Sequence, residues 1–453
     1  MGQARLPYDG IEDDMKILMV SNFYPPHYRG GYEVRCKQVA ETMQQRGHEV
    51  RVLTSVYGLP MDFSGGFHRA TEEIEGVRVD RWLDIYAYGP QPPSRPWTLV
   101  HARRQLADAR RFAKILSGFK PDIVNWWSMN GLSMNLLPMP AEKHIPDIHW
   151  IEHPWMINEY GVAGEKVAPF WEGLWDGSWG AKPIQPLLRW FGRRWERQIA
   201  SEGIPTRQFP NQPRHMVFVS EFLRTLYRDA GLTFLSSEVI FGGVPIDHFL
   251  APVRRHGMEG PIRLLYAGQI TLDRGLHTAV EAFGQVPPQL RSRLTLSIAG
   301  DNPGEYLDGI RRRVQELGLT EAVTFLGKVP HDRMPEVYKC HDILVFVSTR
   351  EEGLPLVMVE AMLAGCAVLT TGSGGAIEVA KLADLPLIPK ADSGTLARRL
   401  TEFISNPAVL DDVALRGQEV ARKEFGLDVM IQRWESTIAE VKRSPINPRG
   451  ECR

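Results

Sequence analysis

The stretch Ser348–Gly365, which reads STREEGLPLVMVEAMLAG, is the part of the sequence that decides the fold. It follows an apolar run at Ile343–Val347 that predicts a buried strand, and an apolar helix is predicted from Leu356 to Ala364. The first N–H groups of a helix have no partner within it, so amides near Leu356 and Val357 should lie at the positive end of the helix dipole. A strand, a tight turn and a helix in this order predict a diphosphate-binding site at the carboxyl end of a parallel sheet.

Two carboxylates flank this helix start. Glu352 lies in the turn, and Glu360 follows about two helical turns later. Taken alone, two glutamates at this spacing more often lie on a solvated helix face or cap a helix. Beside a diphosphate-binding turn, however, carboxylates can accept hydrogen bonds from sugar hydroxyls.

Short apolar runs alternate with helical patterns on both sides of this stretch, which predicts an α/β fold with parallel strands covered on both faces. The strands predicted in the first half are Lys16–Ser21, Glu49–Thr54, Val77–Trp82, Asp122–Trp127, Asp147–Glu152, Met216–Ser220 and Glu238–Phe241. Those predicted in the second half are Ile262–Ala267, Leu294–Ala299, Val323–Leu326, Ile343–Val347, Ala367–Thr370 and Leu385–Ile388. Two such series predict two doubly wound, Rossmann-type domains facing across a cleft, with a single large sheet as the alternative.

The connection at residues 242–260 separates the two series and sets the predicted domain bounds. These bounds are a mobile extension at 1–14, a first domain at 15–242, a second domain at 243–425, a helix at 426–445 and a tail at 446–453.

Composition excludes several classes of protein. The chain has 453 residues, 43% hydrophobic and 24% charged, as in ordinary globular proteins rather than fibrous or disordered ones. Its formal charge of -1 offers no global attraction for nucleic acid. The four cysteines form no CxxC pair, and the sequence shows no apolar span or secretory signal, so we expect a cytoplasmic protein without a structural zinc site.

Three further loops follow predicted strands and carry residues suited to ligand binding. Gln269 and Arg274 lie after the strand Ile262–Ala267, and Gly30 and Gly31 lead into the first crossover helix. His153 lies at the end of a buried run. Each loop alone is also consistent with an ordinary strand-to-helix turn or a structural histidine, so their order along the chain matters more than any one of them.

The stretch at Glu352–Gly365 closely resembles the donor-site signature of family 4 of the retaining glycosyltransferases, a Glu, seven residues and a second Glu followed by Ala-Met-x-Ala-Gly. The resemblance implies a GT-B-like fold. It implies that Glu352 contacts the donor sugar, that Glu360 holds the ribose of the nucleotide, and that the amides at Leu356 and Val357 bind the diphosphate.

The same resemblance extends over roughly residues 15 to 440. Ala267–Gly275 is similar to the family's Gly-Arg-x4-Lys-Gly segment, whose two cations neutralise the diphosphate, but this chain has Gln269 and Arg274 in those places. The segment FLGKV, which ends at Val329, resembles the loop whose backbone reads the base. The resemblance also implies that the second domain holds the donor and that the helix at 426–445 crosses back to the first.

In the first half, Gly30 and Gly31 resemble the family's Gly-Gly loop, which approaches the donor phosphate. The segment that ends at His153 is similar to the family's His-Asp strand end, although Pro154 stands in place of the acid. The resemblance implies that His153 lies beside the donor sugar and the acceptor, which is expected to bind the first domain.

The expected function is therefore retaining transfer of a sugar from a nucleotide-diphosphate sugar, UDP- or GDP-linked, to a hydroxyl of a glycan or lipid-linked acceptor in polysaccharide or glycoconjugate biosynthesis. Neither a metal nor another cofactor is expected, because Arg274, Gln269 and the helix amides can stabilise the leaving diphosphate. Gln269 and Pro154 leave two alternatives open. One is a nucleotide-sugar-binding protein with weak or no transferase activity, and the other is an epimerase or phosphorylase on the same fold.

Two basic stretches, Arg95–Lys120 and Arg189–Arg214, are candidates for a peripheral contact with the inner face of a membrane, and the second carries Trp190, Phe191 and Trp195 between its arginines. Solvated helix faces are the more common role of such stretches. The Gly- and Trp-rich residues 155–183 are interpreted as an acceptor-side loop.

Overall fold

The computed structural model describes residues 14–59, 68–85, 95–160, 180–206 and 214–443. The chain divides into two compact units. The N-terminal unit comprises the described residues up to Phe218, with Arg224–Glu238 and the chain from Trp434 onward, and the C-terminal unit comprises Val219–Leu223 and Val239–Arg433. The extension predicted at 1–14, apart from Asp14, the tail predicted at 446–453 and most of the Trp-rich loop lie outside the described residues.

The N-terminal unit is built on the strands β1 (Lys16–Ser21), β2 (Glu49–Ser55), β3 (Ala70–Ile74), β4 (Val77–Leu83), β5 (Ile123–Trp126), β6 (Asp147–Ile151), β7 (Arg214–Phe218) and β8 (Phe234–Val239). They form one sheet in the order β3-β4-β2-β1-β5-β6-β7-β8. The central strand β1 pairs in parallel with β2 and β5, and every residue of it after Lys16 is buried. The pairs β2–β4, β5–β6 and β6–β7 are parallel too, as the apolar runs predict, whereas the edge strand β3 pairs antiparallel with β4.

The helices of the first half are α1 (Gly31–Gln45), α2 (Arg95–Phe119), α3 (Met139–Glu142), α4 (Trp155–Tyr160), α5 (Gln185–Ser201) and α6 (Glu221–Asp229), with 3-10 turns at Met134–Leu136 and Lys182–Ile184. Helix α1 forms because Cys36, Val39, Ala40 and Met43 follow a helical period, and all four are buried. It ends before Gly47, whose φ of 105° is a conformation that glycine adopts readily.

The C-terminal unit is built on five parallel strands, β9 (Ile262–Ala267), β10 (Leu294–Ala299), β11 (Val323–Gly327), β12 (Ile343–Phe346) and β13 (Ala367–Thr370). Their order is β11-β10-β9-β12-β13, so the direction of winding reverses between β9 and β12. Loops at such a reversal are where open α/β sheets bind ligands. The loops that follow β9 and β12 carry Arg274 and Glu352.

The helices of the second half are α7 (Ile246–Phe249), α8 (Leu276–Gln285), α9 (Pro288–Arg291), α10 (Glu305–Glu316), α11 (Met334–Lys339), α12 (Leu356–Leu363), α13 (Ala376–Leu382), α14 (Ser393–Ser405), α15 (Pro407–Glu424) and α16 (Leu427–Arg443), with 3-10 turns at Leu272–Arg274 and His331–Arg333. Helix α16 begins in the C-terminal unit, and its residues from Trp434 belong to the N-terminal unit. In the part of the chain that the structure describes, no helix is both long and apolar enough to cross a membrane.

The structure corrects two strand predictions and adds one strand. Leu385–Ile388 forms only an isolated bridge between Thr370 and Leu387, because Pro386 has no N–H group for a ladder. A strand was expected at Glu238–Phe241, but the observed strand lies earlier, at Phe234–Val239. Two serines in it interrupt the apolar run on which the prediction depended. Sequence reasoning also missed β3, an edge strand that pairs antiparallel with β4 through a turn at Glu75 and Gly76, both with positive φ.

Candidate functional site

Arg274 and Glu352, which lie 78 residues apart in the sequence, meet in the C-terminal unit. The Arg274 guanidinium donates a hydrogen bond to Glu352 Oε1, and the side chains are 21% and 17% exposed. Burial raises the pKa of the Glu352 carboxyl, while the positive charge of Arg274 acts in the opposite direction. The cation predicted for the diphosphate is thus held by the carboxylate predicted for the sugar.

The backbone around Glu352 is fixed by the glycine loop that follows β13. Glu352 bridges to Gly374, and the Gly375 N–H donates to the Glu352 carbonyl over 2.7 Å. A Cβ atom on Gly374 would lie 2.3 Å from the Glu352 carbonyl oxygen, and one on Gly375 would lie 1.9 Å from that of Gly353. Only glycine fits these two positions, so the glycine loop after β13 supports the turn that carries Glu352.

The helix start predicted to bind a diphosphate is present. Helix α12 spans Leu356–Leu363, one residue shorter than predicted, and Pro355 occupies its N-cap position. The Met358 N–H donates to the Pro355 carbonyl over 3.1 Å. The amides of Leu356 and Val357 precede it in the first turn, where a helix provides no acceptor for them, so they are suited to an anion.

Glu360 is 4% exposed and accepts hydrogen bonds from two side chains that sequence reasoning missed. The Tyr338 hydroxyl donates to its Oε2 over 2.9 Å, and His331 Nε2 lies 3.3 Å from its Oε1. His331 lies two residues after Val329, in the loop that follows β11. Its place beside the predicted base-reading loop was a usable signal for His331, whereas nothing in the sequence distinguishes Tyr338.

Gln269 is exposed, and its backbone carbonyl accepts a hydrogen bond from the Tyr266 hydroxyl over 3.0 Å. The loop it belongs to is tied to the β12 loop, because the Asp273 carbonyl accepts hydrogen bonds from the Thr349 and Arg350 amides. The structure therefore places Gln269 in the same loop as Arg274, as an exposed residue.

In the N-terminal unit, Gly30 caps α1 and Gly31 begins it, and both are exposed. The Glu33 carboxylate accepts a hydrogen bond from the Gly30 N–H over 2.8 Å, which orders the loop. His153 lies just after β6, half-buried, with its ring edge-on to Tyr32 at 5.1 Å and its Nε2 3.4 Å from Ser128 Oγ. Tyr32 lies on α1, so it joins the glycine loop to the histidine.

A buried ion pair involves Glu152, the residue before His153, and sequence reasoning missed it. Glu152 Oε1 is 3.1 Å from Arg35 of α1 and accepts a hydrogen bond from Trp150 Nε1 over 2.7 Å. Burial raises the pKa of the Glu152 carboxyl to about 7, because Arg35 only partly offsets the loss of hydration. His149, expected inside the strand, is fully buried there beside Asp147.

Among the described residues, no three His, Cys, Asp or Glu side chains are grouped so that they could hold a metal ion. The candidate anion-binding groups are instead Arg274 and the amides at the start of α12.

Comparisons with known proteins bear on the family and the fold of the chain. A model of glycosyltransferase family 4 matches residues 29–248, and a model of the group 1 glycosyl transferases matches residues 254–420. An uncharacterized glycosyltransferase of Methanocaldococcus jannaschii is 26% identical over 81% of this chain and 83% of its own length. Glycogen synthase of Mycobacterium tuberculosis is 24% identical over 94% of each chain.

Among solved structures, Anabaena HepE in complex with UDP matches with a TM-score of 0.63 and 17% identity, covering 94% of this chain and all of its own. That likeness shows the fold, which is GT-B-like with two Rossmann-type domains. From the two family models and these relatives, the chain is a glycosyltransferase and belongs to the group 1 family.

Proposed function

We propose that this enzyme transfers a sugar from a nucleotide-diphosphate sugar to a hydroxyl acceptor with retention of the anomeric configuration. The observation that carries the proposal is the convergence of Arg274, Glu352 and the start of α12 in one unit, at the carboxyl ends of β9 and β12. A cation and free helix amides suit a diphosphate, and a carboxylate suits sugar hydroxyls.

Donor binding rearranges the pair of Arg274 and Glu352 in this proposal. The diphosphate competes for the Arg274 guanidinium, which can bind phosphate oxygens in a fork, while the amides of Leu356 and Val357 bind from the helix start. Glu352 then accepts hydrogen bonds from the donor sugar in place of those from Arg274. Both changes happen together, so the buried carboxylate keeps hydrogen-bond donors throughout.

The nucleoside is proposed to bind beside Glu360. The carboxylate uses Tyr338 and His331 as partners, and its remaining lone pairs are available to the ribose hydroxyls. Backbone groups near Val329 are proposed to read the base. Because the fold of HepE in complex with UDP is similar, and UDP and GDP were both expected from the sequence, these are the first nucleotides to test.

During transfer the bond between the anomeric carbon and the phosphate oxygen breaks, positive charge develops on the sugar, and negative charge grows on the diphosphate. Arg274 and the α12 amides stabilise that negative charge, so the proposal requires no metal. The acceptor hydroxyl forms the new bond on the same face and gives its proton to the departing phosphate oxygen. His153 is proposed to orient sugar hydroxyls, and Gly30 and Gly31, which have no side chains, to let the start of α1 approach the donor phosphate closely.

The acceptor that we propose is a glycan or a lipid-linked glycan, and the process is polysaccharide or glycoconjugate assembly in the cytoplasm, with peripheral contact with the membrane. Glycogen synthase, which aligns over 94% of this chain, is named for the synthesis of a polysaccharide.

The first experiment is a calorimetric and thermal-shift series with UDP, GDP, ADP, CDP and TDP, each with and without EDTA. We expect one diphosphate to bind and stabilise the protein, and EDTA to leave its affinity unchanged. Loss of binding in EDTA would contradict the proposed charge stabilisation. Absence of binding by all five nucleotides, in a protein that melts cooperatively, would contradict the donor site.

Gln269→Arg tests the effect of the missing cation. We expect turnover to rise, because a second charge in this loop would stabilise the leaving diphosphate, and Gln269→Lys is the matched variant with a point charge. Unchanged turnover in both variants, with normal nucleotide affinity, would show that this position does not limit the reaction.

A further inference from the structure

An exposed apolar patch lies on the N-terminal unit, in residues that the donor site does not use. It comprises Ile184, Leu187, Trp190 and Phe191, which are 49%, 58%, 57% and 55% exposed. The other large hydrophobic side chains that are exposed among the described residues lie singly along the chain, as is normal for a soluble protein. Four within eight residues, with the rings of Trp190 and Phe191 in contact at 4.9 Å, require a partner to explain them.

Helix α5 presents this patch on a face that is turned away from the protein. Gly192 and Ile199 are its buried residues, whereas Leu187, Trp190 and Phe191 follow a spacing of three and four that places them together on another side. Just beyond the helix end, Glu202 binds Arg110 of α2 through two hydrogen bonds of 2.7 and 2.8 Å. The helix is therefore anchored through one side while its apolar stripe faces solvent.

A basic stripe runs beside the patch. Arg189, Arg193 and Arg197 are spaced four residues apart, so they line one side of the helix, and all three are exposed. Lys182 and Arg194 are also exposed, while Glu196 is the one acidic residue between positions 181 and 201. An apolar stripe with Trp and Phe, flanked by arginines, is the pattern of a helix that lies in the interface of a bilayer.

We infer that α5 is a docking surface for anionic phospholipid, with Trp190, Phe191 and Leu187 entering the boundary between headgroups and acyl chains. Arg189, Arg193 and Arg197 bind phosphate groups from the side, since their long side chains can reach the headgroups while the apolar stripe is immersed. A second copy of this chain is the less favoured occupant, because packing two identical patches together would bring their arginine stripes close to one another, and like charges repel.

The surface has a consequence for the proposed reaction, although the inference does not depend on it. An enzyme whose acceptor is lipid-linked gains by being concentrated at the bilayer where the acceptor lies. The nucleotide is proposed to bind beside Glu360 in the C-terminal unit, so lipid binding and nucleotide binding can be measured in separate assays.

The test is co-sedimentation of the purified protein with vesicles of phosphatidylcholine alone or of phosphatidylcholine mixed with phosphatidylglycerol. We expect sedimentation with the anionic vesicles and its weakening at high salt. The double variant Trp190→Ser with Phe191→Ser should lose about tenfold or more in lipid affinity. The triple variant Arg189→Gln, Arg193→Gln, Arg197→Gln should lose the preference for anionic lipid.

Met258→Ser is the matched control, because Met258 is 64% exposed and lies in the other unit. It should bind vesicles like the unsubstituted protein, and all variants should melt and bind nucleotide normally since the changed side chains are exposed. A protein that remains in the supernatant with anionic vesicles overturns the inference. The inference is also overturned if the double variant binds vesicles normally and is a monomer in lipid-free solution where the unsubstituted protein is a dimer. The patch would then join two copies of the chain.

Discussion

Replacing Glu360 by alanine should weaken binding of the nucleoside diphosphate by about 10- to 100-fold. The residue is 4% exposed, and hydrogen bonds from Tyr338 and His331 hold its carboxylate in place. A hydrogen bond to a charged group contributes about 1.5 to 3 kcal/mol, so the loss of one such bond to a ribose hydroxyl raises Kd by a factor of about 10 to somewhat over 100.

The same change has a separate effect on stability. Glu360→Ala leaves the buried Tyr338 hydroxyl without its acceptor, which costs about 1 to 3 kcal/mol of the free energy of unfolding. Tyr338→Phe is the control, because it removes the hydroxyl and keeps the carboxylate. We expect it to bind the nucleotide within about threefold of the unsubstituted protein, since one hydrogen bond that merely positions the carboxylate is lost.

Isothermal titration calorimetry should be carried out with the nucleotide and with its 2′,3′-dideoxy analogue, which has no ribose hydroxyls. If Glu360 binds the ribose, the unsubstituted protein discriminates between the two ligands and Glu360→Ala does not. The reasoning is refuted if Glu360→Ala, shown by its melting curve to be folded, binds the nucleotide within about twofold of the unsubstituted protein.

Three other outcomes follow from the geometry. Arg274→Ala and Glu352→Ala should each reduce turnover by about 100-fold or more, and steady-state rates within about threefold of normal would remove both from the site. In Gly375→Ala the new Cβ would lie 1.9 Å from the Gly353 carbonyl oxygen, so the turn before α12 should be displaced. Calorimetry should then show no nucleotide binding, whereas normal binding would mean that the turn tolerates the shift. The pKa of Glu152 is raised from 4.5 to about 7 in the folded protein, so protonation of this carboxyl adds to the free energy of unfolding. That contribution is complete below pH 4.5 and is lost as pH rises through 7. The free energy of unfolding should therefore fall less between about pH 5 and 8 in Glu152→Gln than in the unsubstituted protein, by up to about 3 kcal/mol. Identical pH profiles of the two proteins would contradict the burial of the Glu152 charge.

Features with a local pattern were predictable from the sequence. The helix from Leu356, the turn before it and the strand before that are consecutive, so periodicity and glycine placement indicated all three. Predictions were wrong where the pattern was weak. Two serines broke the apolar run of β8, and the charged edge strand β3 has too little burial to show a continuous apolar signal.

Contacts between distant parts of the chain were not predictable in the same way. The pairing of Arg274 with Glu352 depends on β9 and β12 being neighbours in the sheet, which a single sequence does not reveal. The place of Tyr338 beside Glu360 arises likewise from the packing of two helices that lie 16 residues apart from end to start. Sequence reasoning could name the carboxylates, but not the groups that orient them.

The hydrogen bonds of Glu378 bear on where the donor-binding unit can be cut. Its carboxylate accepts bonds of 2.8 Å from the amides of both Glu221 and Phe222, and Ser220 packs on Gly375. Residues 220–222 belong to the same compact unit as Glu378, although they lie before β8 in the chain. A fragment that begins at the end of β8 would therefore lack them. The turn that carries Glu352 would then lose its backing, so a shortened enzyme intended for crystallisation or ligand screening should retain residues 219–223 through a permuted or linked chain.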